Sequence, residues 1–350
     1  DMPDISKIYP SDSPALQQVD ALLAKEGIRR DKNLDYTCGI YDDDLNLIAT
    51  GSCFQNTLRC FAVDSRHQGE GLLNTVLTHL IELQHARGNL QFFLYTKCQS
   101  AKFFGDLGFY EVARVPGELS FMENRRHGFA DYLAGLAAES PAFITGQRIA
   151  SIVMNANPFT LGHQYLVEKA AAENDLVHLF IVSEDASLVP FRIREQLVKA
   201  GTAHLDNVIC HASGSYIISS ATFPSYFQKD DAAVSRGHAL LDLAIFRQIA
   251  ARLGITRRYV GEEPFSAVTG LYNQIMQESL PAADIACIVV PRREENGRII
   301  SASAVRQAIK ENDAATLQTM LPQSSLDFLQ SEAAAKLRQK IRETEDVIHH

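Results

Sequence analysis

The sequence lacks an excess of positive charge, paired cysteines and any long apolar run. Its 33 lysines and arginines stand against 42 aspartates and glutamates, a formal net charge of −9. So acidic a chain has no global electrostatic footprint for nucleic acid, which is bound through Lys and Arg at its phosphates. A local basic site for a phosphorylated ligand remains open. The six cysteines, at positions 38, 53, 60, 98, 210 and 287, form no C-x-x-C pair. That excludes a zinc-ribbon or thioredoxin-type motif and points to a reducing, cytoplasmic setting. No apolar run approaches the roughly 18–20 residues of a membrane span, so no membrane partner is expected. The first residues, Asp1-Met2-Pro3-Asp4-Ile5-Ser6, carry no basic segment followed by an apolar one, and no secretory signal is expected. Internal repeats and low-complexity tracts are missing as well. His349 and His350 are assigned no role.

What is present is ordinary globular material. Hydrophobic residues make up 46% and charged residues 21%, enough apolar mass for a core, and this excludes disorder of the whole chain. At roughly 100–200 residues per domain, 350 residues predict two domains. The two halves differ in texture. In the first, strands are expected over residues 36–41, 47–54 and 59–63, the first two joined by an Asp42-Asp43-Asp44 turn read as solvated. Leu72, Leu73, Val76, Leu77, Leu80 and Ile81 then follow a helical period. A strand over 90–95, a short helix over 101–107 and a strand over 109–115 complete this half, and a helix over 129–138 leads out of it. The second half alternates strand and helix from residue 148 to about 309, which implies βαβ units, a parallel sheet and ligands at the carboxyl ends of its strands. The domains are placed at residues 1–130 and 145–345, with the boundary near 125–147.

The strongest chemical signal follows the strand expected over 148–154. The sequence continues Asn155-Ala156-Asn157-Pro158-Phe159-Thr160-Leu161-Gly162-His163, where a helix opens. Pro158 fixes a turn. Gly162 permits close approach of backbone to a ligand. The free N–H groups of a helix start favour anions. Thr160 and His163, one turn apart, converge on the same side, and a histidine there can donate to a phosphoryl oxygen as charge develops. Late in the chain, Ile300-Ser301-Ala302-Ser303-Ala304-Val305-Arg306 opens another helix, with hydroxyls that cap it or bind phosphate and an arginine one turn in.

Together these two segments resemble the HxGH-type nucleotidyltransferase superfamily, with its (H/T)-x-G-H and I-S-S-T-x-x-R motifs. Thr160 replaces the first His, Ala302 the second Ser, and Ser303 the Thr. Phe191 and Arg194 match the superfamily's F-x-x-R helix. The first half has Arg66-His67-Gln68-Gly69-Glu70-Gly71 between a strand and a helix, which resembles the R-x-x-G-x-G acetyl-CoA segment of GNAT acetyltransferases. Phe104 stands where many of those enzymes place a general-acid tyrosine. Phenylalanine donates no proton, so ordinary acetyl transfer is not expected and a CoA-like group is the expected ligand.

A GNAT-like α+β domain followed by a Rossmann-like nucleotidyltransferase domain, an α/β chain overall, resembles the citrate lyase ligase family. Further stretches carry that resemblance: Ser215 through Pro224, Val260-Gly261-Glu262-Glu263-Pro264-Phe265 and Val268-Thr269-Gly270-Leu271-Tyr272-Asn273. The resemblance implies ATP-dependent acetylation of a thiol on the dephospho-CoA-derived group of the citrate lyase acyl carrier subunit, through acetyl adenylate, releasing AMP and pyrophosphate. ATP with Mg²⁺ and acetate are the implied substrates, and no tightly bound cofactor or dedicated metal site is implied. His163, Thr160 and Arg306 are the implied catalytic residues. Asn155, Asn157, Pro158, Phe159, Gly162, Arg194, Ser301 and Ser303 are implied to bind ATP. Arg66, Gly69 and Gly71 are implied to hold the CoA-like group. Glu262 or Glu263 is a candidate contact for adenosine or acceptor, and Arg292 and Arg293 are surface-loop arginines within reach of phosphate. Three alternatives remain: a conventional nucleotidyltransferase acting on a pantetheine phosphate or mononucleotide, a degenerate carrier-binding protein, and a true acetyltransferase. His67, His178, His204, His211 and His238 are equally available to activate a thiol.

Overall fold

In a computed structural model, residues 3–263 and 267–349 are described; Pro264 and Phe265 of the expected motif lie outside them. The chain divides into two compact units. One comprises residues 1–129 and 223–244, the other residues 130–222 and 245–350. Residues 223–244, expected in the second domain, therefore fold with the first.

The first unit runs β1 (Ile5–Ile8), α1 (Ser13–Lys25), β2 (Tyr36–Tyr41), β3 (Leu47–Phe54), β4 (Thr57–Val63), α2 (Leu72–Ala86), β5 (Phe93–Thr96), α3 (Ala101–Asp106), β6 (Tyr110–Val115) and β7 (Leu119–Glu123). Its seven strands lie in the order β1-β2-β3-β4-β5-β7-β6. All pairings are antiparallel except β4 with β5, which pair only at Thr57–Phe93 and Leu58–Leu94. Beyond Leu58 these two strands part. Apolar residues of α2, including Val76, Leu77 and Leu80, pack on Ile40, Ala49 and Leu94. A separate cluster joins Val19, Leu22 and Leu23 of α1 to Leu47, Cys60 and Ala62. Tyr226 belongs to this second cluster, which is why residues 223–244 go with the first unit. Ser225 strengthens that attachment: its N–H and hydroxyl both donate to Asp31, which is buried and paired with buried Arg59 at 3.3 Å.

After α4 (Gly128–Ala138), the second unit runs β8 (Ile149–Met154), α5 (Leu161–Glu173), β9 (Leu176–Ile181), α6 (Phe191–Thr202) and β10 (Val208–Ala212). There follow α7 (Asp231–Leu253), within which the division between units falls, β11 (Arg257–Gly261), α8 (Ala267–Ser279) and β12 (Ala286–Val290). A two-strand ribbon, β13 (Glu294–Glu295) and β14 (Arg298–Ile299), leads to helices α9 (Ala302–Lys310), α10 (Ala314–Met320), α11 (Gln323–Gln330) and α12 (Ala335–Glu343). The five long strands are all parallel, in the order β10-β9-β8-β11-β12. The order reverses between β8 and β11, and in such sheets the crevice at that switch point, beyond the carboxyl ends of the strands, takes the ligand. Ala150, Ile152, Met154, Val177, Leu179 and Ile181 pack on Val167 and Ala170 of α5 and Leu197 and Val198 of α6, so α5 and α6 are anchored with their first turns at the carboxyl end. The α/β class, and the order of a mixed-sheet unit before a parallel-sheet unit, are as expected. Among the described residues no helix is long and apolar enough to cross a membrane.

Candidate active site

The loop leaving β8 is shaped by three buried groups. The Asn157–Pro158 bond is cis and Ala156 takes a positive φ. The Asn157 side chain, 3% exposed, accepts the Val189 N–H at 2.9 Å. Phe159 is fully buried, its carbonyl accepting from Ser325 at 2.9 Å and its ring stacked on His163 at 5.7 Å. The loop thus delivers Thr160 to the start of α5 in one orientation.

Thr160 is the N-cap of α5, and the pair Thr160–His163 forms a capping box. The His163 N–H donates to Thr160 Oγ1 at 3.3 Å, and the Thr160 N–H donates to His163 Nδ1 at 3.0 Å. This arrangement assigns the tautomer. A backbone N–H can only donate, so Nδ1 is the bare acceptor and the proton of the neutral ring sits on Nε2. Burial, then the charges of Arg292 and Arg306, lower the His163 pKa to about 3. The ring is therefore a neutral Nε2–H donor at ordinary pH, beside the N–H groups of a helix start.

Gly162 allows the second motif to close on the first. A Cβ there would lie 3.3 Å from the Ile300 carbonyl oxygen and 3.4 Å from Thr160 Oγ1. Ile300 leads into Ser301, the N-cap of α9, whose hydroxyl accepts the Ala304 N–H and lies 3.2 Å from Ser303 Oγ. The start of α9, with the Ser301 and Ser303 hydroxyls, is thus brought beside the first turn of α5.

Two arginines expected at the phosphates have other work. Arg194 is fully buried and donates to the carbonyls of Val189, Asn155, Val182 and Glu184, at 2.7–2.9 Å. Arg306 donates to Asn157, Val347 and Ile348 carbonyls at 2.5–2.7 Å. Arg194 thus ties the loops after β8 and β9 together with four of its five N–H groups, and Arg306 ties the loop after β8 to the last residues of the chain with three of its five. Likewise the Asn155 amide donates to Ser187 Oγ at 2.9 Å, and Asn157 and Phe159 shape the loop from within.

Sequence reasoning gave less weight to Arg292, which sits just beyond β12 at the same carboxyl edge. Its Nε donates to the Glu262 carbonyl at 2.6 Å, the Glu262 N–H donates to Val290 O at 2.9 Å, and its guanidinium is ion-paired with the Glu263 carboxylate. The neighbouring Arg293 carbonyl accepts the Ile300 N–H at 3.0 Å. The available signal was position alone, an arginine immediately after the last parallel strand. Glu184, after β9, was also missed; it accepts from Thr222 at 2.5 Å and Ser219 at 3.2 Å, which brings the Ser/Thr-rich segment to this edge.

In the first unit a cavity of about 600 Å³ opens where β4 and β5 part. Gly69 and Gly71 line it, with Phe104 in its apolar wall and Tyr226 and Phe227 on another side. Gly69 and Gly71 both take positive φ, and Gly71 begins α2 with no side-chain cap, leaving that helix start open to a ligand. Arg66 does not line the cavity. Its guanidinium is held by Asp64 at 3.1 and 3.3 Å, and that partner keeps the Asp64 carboxyl down at about 2. The Arg66 side chain is itself largely exposed, 74%.

A family model described as the citrate lyase ligase C-terminal domain matches residues 149–329. The [citrate [pro-3S]-lyase] ligase of Klebsiella pneumoniae is 36% identical over 91% of this chain and 93% of its own length. That of Escherichia coli K12 is 36% identical over 93% of each chain. The chain belongs to the citrate lyase ligase family. Among solved structures, this citrate lyase ligase family member is similar to the ribosomal-protein-S18-alanine N-acetyltransferase from Escherichia coli, with 19% identity, a TM-score of 0.28, and 35% of this chain and 92% of that one covered. It is also similar to a candidate nicotinate-nucleotide adenylyltransferase from Vibrio parahaemolyticus, with 18% identity, a TM-score of 0.35, and 57% and 97% covered.

Proposed function

We propose that this ligase, in the cytoplasm, activates citrate lyase by joining acetate to the thiol of the acyl carrier subunit's dephospho-CoA-derived group, using ATP. The observation that supports it best is the neutral Nε2–H donor of His163, fixed by the Thr160 capping box and flanked by the α5 helix start and the Ser301 and Ser303 hydroxyls. A carboxylate oxygen of acetate attacks the α-phosphorus of ATP, and pyrophosphate leaves. The carrier thiolate then attacks the acyl carbon, and AMP leaves. Neither step needs a protein nucleophile. What the site supplies is orientation and donors aimed at charge that develops on phosphoryl oxygens. Mg²⁺ enters with ATP as part of the substrate. Thr160 positions His163, while Arg194 and Arg306 brace the loops that carry these donors. The open start of α2, with Gly69 and Gly71, takes the phosphates of the CoA-like arm, and Phe104 in that wall accounts for a domain that binds this group without acetylating from it.

ATP–pyrophosphate exchange tests the reading. Exchange that requires acetate, without carrier, is the expected result. His163→Ala is expected to lower it about 10²–10³-fold, the range for losing one preorganised donor, with unchanged circular dichroism. Exchange that ignores acetate but responds to a pantetheine phosphate would assign a conventional nucleotidyltransferase instead.

A further inference from the structure

Three arginines are bonded to the loops around His163, and two of them, Arg194 and Arg306, bond backbone carbonyls, with four and three of their five N–H groups. Arg292 differs. It gives one donor to the Glu262 carbonyl and presents its guanidinium to a side-chain carboxylate, that of Glu263. Its loop is joined to the His163 turn by a short path: the Ile300 N–H donates to Arg293 O, and Ile300 O lies against Gly162. The guanidinium also lies beside Gly261 at the end of β11, 4.0 Å from where a Cβ would project. A planar guanidinium matches a carboxylate with two parallel hydrogen bonds. The reacting acid needs such a partner: its carboxylate must be held close to an ATP that carries the same sign of charge.

Resting on the acyl-adenylate reading above, we propose that Arg292 holds the carboxylate of the acid substrate, and that the Glu263 carboxylate fills this position until the acid displaces it. Glu263 then acts as an internal competitor. It keeps the guanidinium neutralised and oriented in the free enzyme and raises the acid concentration needed for half-maximal rate. Arg292 is thereby a specificity-determining residue for carboxylic acids, distinct from the donors that face ATP.

The test is the kinetics of acetate-dependent ATP–pyrophosphate exchange with the full chain, varying acetate and ATP separately. Arg292→Ala is expected to raise KM for acetate about 10- to 100-fold, as for a lost charge-assisted contact, while KM for ATP changes less than twofold. Arg292→Lys is expected to fall between. Glu263→Gln is expected to lower KM for acetate severalfold. If Arg292→Ala raises KM for ATP or pyrophosphate and leaves acetate unchanged, Arg292 is a phosphate ligand and the inference is overturned, although the ligase reading stands. If the wild-type chain shows no acetate-dependent exchange, the ligase reading itself falls and takes this inference with it. Should Arg292→Ala fail to fold, Glu263→Gln decides, and an unchanged KM for acetate overturns the proposal.

Discussion

At the scale of single residues, the contrast between Arg194 and His163 is instructive. Both are polar and both were legible as motif members, yet one faces inward and the other serves the crevice. A pattern such as F-x-x-R reads the same in either case, because helical spacing places the side chain on a face without saying what covers that face. The structure shows what covers it: four carbonyls take four of the five N–H groups of a fully buried guanidinium. Arg194 therefore belongs to stability. Burial pulls its pKa below the usual arginine value, and the four carbonyls compensate for the lost water. Arg194→Ala strands those carbonyls in a site without solvent, and losing one partner of a buried charged network costs about 3–5 kcal/mol. Arg194→Lys is expected to recover little, because an ammonium has three donors on one point and cannot span the loops after β8 and β9. Urea denaturation checks this; a lysine variant as stable as the wild type would show that charge, rather than the fork, is what these loops require.

At the scale of elements, the capping box of α5 was readable in part. Thr160, three residues before His163, announces a helix start, and the sequence expectation put the helix within a residue of where it begins, at Leu161. Why the motif carries glycine at 162 was not readable, since the reason lies in Ile300, 138 residues away in the chain. Two effects of Gly162→Ala oppose each other. Alanine favours the helix by about 0.5–1 kcal/mol. Its Cβ, 3.3 Å from the Ile300 carbonyl, forces the two motifs apart by a few tenths of an ångström. Stability is then nearly unchanged, while a displaced donor is costly for rate, given that about 1 Å of misplacement can cost roughly 10²-fold. The expected result is a kcat lower by about tenfold with Tm within a few degrees of wild type. An unchanged kcat would mean that the spacing between α5 and α9 is not what positions the donors. Elsewhere β1, α1 and β7 were not anticipated. α1 has its buried residues at Ala15, Val19, Leu22 and Leu23, a clear period of three to four, but they lie among polar residues in a stretch without a strong flanking signal. Residues 223–244 could not be assigned to a unit from sequence, because Ser225 and Tyr226 find their partners at Asp31 and Tyr95, and only long-range contacts settle such a membership.

For the whole molecule, acid is the condition that separates the contributions of its buried histidines from those of its carboxylates. In the second unit, His178 Nδ1 meets His211 Nε2 at 2.8 Å, and His211 Nδ1 meets Glu139 at 2.9 Å. With the carboxylate as acceptor, His211 carries its proton on Nδ1, His178 donates from Nδ1, and His178 Nε2 is left as a buried bare nitrogen, without a partner among the described residues. Burial, then the charge of His211, lowers the pKa of His178 to about 4; burial also lowers that of His211, against the opposing pull of Glu139. His163 is lowered to about 3. The sign follows from proton counting. Between an ordinary histidine pKa of about 6.5 and these lowered values, the unfolded chain binds protons that the folded chain refuses, so stability rises with pH across that window and is fully present above it. Each histidine held neutral contributes up to about 1.4 kcal/mol per pH unit there. Carboxylates such as Asp64, held down at about 2 by Arg66, act in the same direction but only below about pH 4, where they are protonated. The expected outcome is a Tm that is flat from pH 8 to 7 and falls steadily from pH 6.5 to 4.5, before carboxylate protonation begins. Activity should not follow the same curve through His163, whose ring is already neutral throughout, so kcat for exchange is expected to show no inflection near pH 6.5 from that residue. A Tm independent of pH between 6.5 and 4.5 would mean that these histidines take up protons in the folded state, and that the donor assigned to His163 Nε2 is not held by burial at all.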